Sequence, residues 1–335
     1  MERKRGLGTA FFVLAVFLFP ALGAGADSYW FYQDFCGCSY TGDMAILCGT
    51  SMFGLATNSP ETCVTPGGVE LRIVPGRGSA AIVPGTDPKT PVGYSDCSLR
   101  AQFRKEQCFG EMGFGARWQG GGIGYWGAIA PRETNDDHLF IWRRVAPSVE
   151  GHLGYEYTEL KACSGDVVLQ FDVQGNTLKL WAWNAGEVKP QTAISAVDAE
   201  PLTFGGVMVY VFLQEWQRTV YDTGFLRYFA VFPVGEEPFR RGDPNADGTV
   251  DMGDAIFTLS YLFGAGPEPT CMDAADTNDD GTVDIGDPIA LIQHLFGSEM
   301  DLAAPVGKCG VDPTPLEGLS CLSYPPCESA QRACE

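Results

Sequence analysis

Between Val69 and Val231 short apolar runs alternate with Gly, Pro, Asn and Asp, a rhythm that predicts strands joined by turns and leaves almost no helical period. Such runs cover Val69–Val74, Ser98–Arg104, Met112–Trp118, Leu139–Arg143, Val167–Val173, Leu178–Trp183, Val207–Leu213 and Leu226–Phe232. Gly175-Asn176 separates two of them and has hairpin-turn chemistry, because both residues tolerate positive φ. About ten or more strands in roughly 200 residues without a long helix predict two packed antiparallel sheets, a mainly β jelly-roll sandwich.

The pattern changes at Arg240. From there to the end stand 17 acidic and 4 basic residues, and the chain repeats itself: Asp243–Gly264 matches Asp276–Gly297 at 13 of 22 positions, with a period of 33. Each copy ends in a short amphipathic helix, with Ile256, Leu259, Leu262 and Phe263 marking one apolar face and Ile289, Ile292, Leu295 and Phe296 its twin. Gly264 and Gly297 stand where a left-handed C-cap belongs, and Pro288 suits a first helical position.

The start of each copy carries the chemistry. Oxygen-bearing side chains fall at loop positions 1, 3, 5, 9 and 12, with Gly at 6 and a main-chain carbonyl at 7. These are Asp243, Asn245, Asp247, Thr249, Asp251 and Asp254 in the first copy, and Asp276, Asn278, Asp280, Thr282, Asp284 and Asp287 in the second. This spacing is the EF-hand type of calcium loop, and each copy reaches six hard-oxygen ligands even with monodentate carboxylates. Two Ca²⁺ ions are therefore expected. A calcium loop followed by one helix, duplicated, with Asp at position 12 and no entering helix, resembles a type I dockerin, the module that docks cellulosome enzymes onto a cohesin. The resemblance covers residues 243–297 and implies a cohesin-like or cell-envelope partner. Loop positions 10 and 11 depart from the family's common polar pair, being Met252-Gly253 and Ile285-Gly286. Met252, Ile285, Ser260, Tyr261, Gln293 and His294 are the candidate partner contacts that the resemblance implies.

Composition places this chain outside the cytosol. Twelve cysteines among 335 residues fit an oxidising compartment. Arg3, Lys4 and Arg5 precede an apolar run from Ala10 to Phe19, and Ala24-Gly25-Ala26 suits cleavage before Asp27. No later segment is apolar enough to span a membrane. A net charge of −20 excludes a sequence-blind nucleic-acid binder. The expected organisation is a signal peptide at 1–26, the sandwich at 27–232, a linker at 233–242, the calcium module at 243–297 and a Cys/Pro-rich tail at 298–335. The tail is expected to be closed by Cys271–Cys309 and Cys321–Cys327, leaving Cys334 over. Zinc chelation by Cys36 and Cys38 is disfavoured by their one-residue spacing.

The sandwich is less explicit. Gly165–Gly186, with the strand rhythm around it, is similar to concanavalin A-like or laminin G-like jelly rolls of secreted bacterial proteins, a group that includes glucanases, sugar-binding modules and adhesive domains. The Glu-x-Asp-x-Glu strand pattern of jelly-roll glucanases is absent, and Glu156 and Glu159 have a spacing that would send them to opposite faces of a strand. Neither a Gly-x-Ser-x-Gly elbow nor a His-Glu-x-x-His helix occurs. Alternation puts Lys179, Trp181 and Trp183 on one strand face, a candidate sugar platform; Tyr125, Trp126 and Trp142 are either core or ligand-facing. Gly122, Gly124 and Gly127 satisfy a dinucleotide fingerprint without a helix to follow, so a glycine-rich strand connection is expected there. Arg241-Gly242-Asp243 reads as an adhesion tripeptide, but Asp243 is already a calcium ligand. The sequence therefore favours a secreted, non-catalytic polysaccharide- or ligand-binding protein docked through calcium; the alternative is a jelly-roll glycoside hydrolase attached through the same module.

Overall fold

A computed structural model describes strand segments within residues 31–84 and most of the chain from residue 93 to 328. The segments are 31–34, 44–49, 55–57, 62–65, 68–73 and 79–84; beyond them 85–92, 106–107, 109, 120–121, 132–136, 147–148, 161, 164, 213–221, 298–300, 313–318, 320 and 322 are left out. The signal peptide, Cys36, Cys38 and Cys334 lie outside the described residues.

Two antiparallel sheets form the sandwich. In chain order the described strands are β1 (Phe31–Asp34), β2 (Met44–Gly49), β3 (Leu55–Thr57), β4 (Thr62–Thr65), β5 (Gly68–Ile73), β6 (Ser79–Pro84), β7 (Gly93–Tyr94), β8 (Cys97–Lys105), β9 (Glu111–Trp118), β10 (Gly124–Ala130), β11 (Asp137–Ala146), β12 (Val149–Thr158), β13 (Val167–Gln174), β14 (Thr177–Asn184), β15 (Ile194–Val197), β16 (Gly205–Phe212) and β17 (Asp222–Phe232). The first sheet has the order β15-β14-β13-β8-β17-β5-β4 with β1 on β17; the second runs β12-β11-β10-β9-β16-β6-β2-β3 with β7 on β16. Among the described residues, all eight sequence-predicted runs fall on strands. The hairpin joining β13 to β14 turns at Gly175-Asn176, with Gly175 at φ +55. Period-2 alternation fills the core from both sheets: Leu99, Phe103, Leu169, Phe171, Phe229 and Val231 of one sheet meet Met112, Phe114, Ile129, Ile141 and Val209 of the other. Phe114 stacks on Phe229 with centroids 6.1 Å apart.

The glycine-rich stretch was expected as a connection, and from Gly124 onward it is instead a central strand, β10, buried along its whole length. Its glycine faces inward: a Cβ on Gly127 would lie 2.7 Å from the Phe171 ring, so glycine lets the sheets approach there.

Behind the sandwich come α1 (Met252–Phe263), α2 (Met272–Ala275), α3 (Gly286–Phe296) and the short α4 (Pro325–Glu328). Asp251 caps α1 in a reciprocal box with Asp254. Two expectations about these helices change. Neither Gly264 (φ −111) nor Gly297 (φ −92) is left-handed; glycine is needed at 297 because a Cβ would come within 2.4 Å of the Gln293 carbonyl. Pro288 sits at the third helical position, since α3 begins at Gly286.

The segments flanking the calcium module pair with each other. Phe239 and Gly310 exchange main-chain hydrogen bonds of 2.7 and 2.9 Å. Among the described residues the bridges are Cys271–Cys321 and Cys309–Cys327, not the expected Cys271–Cys309 and Cys321–Cys327, together with Cys108–Cys163. The physical reason is that the tail returns across α2 and places residue 321 beside 271, a long-range approach that sequence proximity does not encode. Among the described residues Cys97 is a free, buried thiol.

Candidate functional site

The twin loops fold alike because they are alike in sequence. In the first, the Asp243 carboxylate accepts from the N–H groups of Asp247 (3.2 Å) and Gly248 (2.9 Å). Asn245 Oδ1 accepts from Asp247 N–H (2.8 Å), Asp247 Oδ1 from Thr249 N–H (2.8 Å), and Asp251 Oδ1 from Gly253 N–H (2.6 Å). In the second, Asp276, Asn278, Asp280 and Asp284 repeat the pattern with Asp280, Gly281, Thr282 and Gly286 as donors. The position-6 glycines Gly248 and Gly281 sit at φ +85 and +84, the left-handed region that a side chain would resist. At position 12, Asp254 and Asp287 each accept the position-9 main-chain N–H at 2.8 Å.

These residues fit a hard cation. Asp243, Asp254, Asp276 and Asp287 are buried carboxylates, and Asp254 Oδ1 is buried without a hydrogen-bond partner, an orphaned charge-bearing oxygen that a cation would satisfy. Among the described residues no three His, Cys, Asp or Glu side chains converge into a cage on their own. The amide oxygens of Asn245 and Asn278 and the carbonyls of Thr249 and Thr282 would therefore complete each set. Residues 241–296 form a dockerin type I domain. The match covers this module and not the sandwich. Dockerin domains bind calcium, which is the chemistry this donor set supplies.

Burial, and after it the Asp243 charge, push the Asp254 carboxyl up to about 7 against the opposing pull of the Asp251 N–H; burial pushes Asp287 up to about 6. A cation favours the ionised form of both, so proton and calcium compete. Calcium affinity is expected to fall as pH drops from about 8 to about 5, with protons released on uptake near pH 6.5. Calorimetry in buffers of different ionisation enthalpy measures this; identical heats in all buffers would contradict it.

The helices of the dockerin do not bury the apolar face that their periodicity predicts. α1 buries Ala255 and Thr258, and α3 buries Pro288, Ala290 and Leu291. Ile256, Phe263 (70% exposed), Ile289 and Phe296 (73% exposed) face outward, joined by exposed Met252 and Ile285. These six are three pairs at the repeat spacing of 33, so the surface is duplicated like the loops. Gln293 is exposed, and Ser260, Tyr261 and His294 are half-buried.

In the sandwich the expected Trp181–Trp183 platform is covered. Alternation does place both outward from the core, but Trp183 is 2% exposed beneath the Arg100 guanidinium, and Lys189 lies 4.6 Å over the Trp181 ring. Glu237, from the segment after β17, pairs with both cations at 2.5 and 2.6 Å and holds them over this sheet face. Tertiary packing roofs the face that sequence leaves open.

The other sheet carries a second outward-facing aromatic cluster, whose Trp126, Phe140, Tyr210 and His138 are buried while Trp142 is half-buried and His152 and Tyr155 are exposed. β11 presents His138, Phe140 and Trp142 away from the core, beside Trp126 of β10 and Tyr210 of β16. Trp126 meets Trp142 and Tyr210 at centroid distances of 6.1 and 5.3 Å, and His138 meets Tyr155 at 5.0 Å. A cavity of about 320 Å³ opens here, lined by Glu111, His138, Phe140, Trp142, Gly151, His152 and Tyr155. His152 and Tyr155 share it despite an odd spacing because the β11–β12 register slips between Ile141 and Trp142, and a one-residue slip reverses side-chain parity. Sequence reasoning found Trp126 and Trp142 as candidates and missed Glu111, His138, His152 and Tyr155; only the glycines at 151 and 154 hint at the bulge. Glu156 is exposed on β12 and Glu159 lies beyond its end, so they form no pair. Arg241 and Asp243 are buried, and the adhesion tripeptide is not presented.

No curated protein matches the chain in sequence. Solved structures resemble the sandwich distantly. The xylan beta-1,4-xylosidase of Bacillus halodurans C-125 is 14% identical, with TM-score 0.40 over 60% of this chain and 38% of that one. The Bacillus licheniformis beta-glucanase is 16% identical, with TM-score 0.42 over 62% and 99%. The VIP36 exoplasmic/lumenal domain is 9% identical, with TM-score 0.43 over 61% and 89%. The chain spans less than two fifths of the xylosidase it matches.

Proposed function

We propose that this is an extracellular, polysaccharide-directed protein whose jelly roll takes a glycan chain in the Glu111–Trp142–Tyr155 groove and whose calcium-loaded dockerin tethers it to a cohesin-like or cell-envelope protein. The observation that carries the reading is the groove itself: exposed His152 and Tyr155, half-buried Trp142 and Glu111, and buried His138 and Phe140 line it, at a volume suited to a few sugar units. The duplicated apolar surface around Met252, Ile256, Phe263 and their twins supports the tether. Among the described residues no helix is long and apolar enough to cross a membrane. Export follows from the sequence-predicted signal and the cysteine content.

Trp142→Ala and Tyr155→Ala are each expected to weaken retention on the bound polysaccharide about tenfold, while Trp181→Ala leaves it unchanged. Affinity electrophoresis over a glucan, xylan and mannan panel reads this; retention that survives both groove changes removes the groove from the proposal.

Hydrolysis is the second reading, and Glu111 favours it, being the one carboxylate among the described lining residues and the group placed to protonate a leaving oxygen. A two-carboxylate mechanism would set a partner about 5–9.5 Å away. Release of reducing ends by the natural chain, lost in Glu111→Gln with retention kept, would establish cleavage. Retention without release from any glycan of the panel would leave binding alone.

A further inference from the structure

The two calcium loops share their main-chain hydrogen bonds at positions 1, 3, 5 and 9, and they differ at position 12, where Asp287 Oδ1 also accepts from the N–H groups of Thr277 and Asn278 at 2.8 and 3.3 Å; a side-chain contact at position 1 sets them apart as well. Tyr324, just before α4, is fully buried, and its phenol O–H donates to Oδ2 of Asp243, the position-1 carboxylate of the first loop. Asp276, the twin of Asp243, accepts from the main-chain N–H groups of Asp280 and Gly281 and, among the described residues, from no side chain. The sequence repeat cannot supply this difference, because Tyr324 lies outside it.

What holds Tyr324 there is covalent. Its ring packs with Phe239, Cys271, Ala274 and Cys327 in one buried cluster, and the tail that carries it is fixed by Cys271–Cys321 on one side and Cys309–Cys327 on the other. The first loop is also gripped by Arg240, whose guanidinium donates to the Gly248 carbonyl at 2.5 Å. The second is gripped by Arg241 through the main-chain carbonyl of Asp276 and an ion pair with Asp279 at 2.9 Å, not through a ligand carboxylate.

We propose that Tyr324 is a positioning residue for the first calcium site: the disulfide-fixed tail orients the Asp243 carboxylate, so that the two sites of this dockerin are inequivalent and the first depends on the bridges. A ligand carboxylate whose second oxygen is pinned by a donor keeps one orientation and spends less conformational entropy on binding a cation. Outer-shell partners of this kind set metal affinity by about 10- to 100-fold when removed. Reduction of the two bridges frees the tail and acts on the same site. This inference rests on the calcium reading of the loops.

The test is calcium titration by calorimetry on the full chain, with each site isolated in turn: Asp276→Ala leaves the first loop, Asp243→Ala the second. Tyr324→Phe is expected to lower first-site affinity about tenfold or more and leave the second site unchanged. Cys309→Ser with Cys327→Ser should do the same, and serves if the Tyr324 variant does not fold. Unaltered first-site affinity in these variants overturns the proposal, and so does an equal loss at both sites, which would mean that the tail supports the module as a whole. Failure of the unsubstituted chain to bind calcium would instead sink the calcium reading, so the two failures are distinguishable.

Discussion

Chelating calcium is expected to melt α1 and α3, with loss of their helical circular dichroism and of any docking, while the sandwich keeps its strand signal. The helices bury little: Ala255, Thr258, Pro288, Ala290 and Leu291 are their buried residues apart from Asp254 and Asp287. A core of that size leaves a small module marginal. At a thousandfold excess over its dissociation constant, each ion contributes about 4 kcal/mol to the folded state. Without it, buried Asp243 and Asp254 repel each other and the orphaned Asp254 Oδ1 has nothing to pair with. Neither tail disulfide reaches α1 or α3, so the bridges do not replace the ions there. Titration with EGTA followed at 222 nm tests this, and an unchanged spectrum would contradict it.

Gly113→Ala is expected to destabilise the sandwich by about 3 kcal/mol or more. Gly113 lies mid-strand on β9 opposite Ala128 of β10 and Tyr210 of β16. A Cβ there would come within 2.3 Å of the Gly127 carbonyl oxygen and 2.6 Å of the Ala128 Cα. Both obstacles are backbone in a buried strand, so no side-chain rotation relieves them; the strands would have to part. Gly151→Ala, on β12 with no atom within 4 Å of the added carbon, is the control and should be nearly neutral. Urea denaturation compares the two, and equal midpoints for Gly113→Ala and the natural chain would refute the argument.

Much of the calcium module was legible because its information is local. Ligand spacing, the turn glycines and the repeat lie within a few residues of one another, and the loops fold by hydrogen bonds spanning two to five residues from Asp243 to Asp251. The strands were legible for the same reason, since alternation is a period-2 signal. The helix face was misread because an apolar stripe reads the same whether it packs inward or waits for a partner: Phe263 and Phe296 are the outcome.

The sequence by itself determined the two-sheet sandwich, the twin loops and the helix after each one, all written in short-range period and spacing. Tertiary structure alone decided which aromatic residues stay open. Glu237 and the cations it holds cover Trp183, while a bulge in β12 turns His152 and Tyr155 into one groove with Trp142. It also decided the disulfide partners and the contact between Tyr324 and Asp243. Each of these joins residues far apart along the chain, where approach is fixed by packing and closure of long loops, and residue type at one end carries no record of the other.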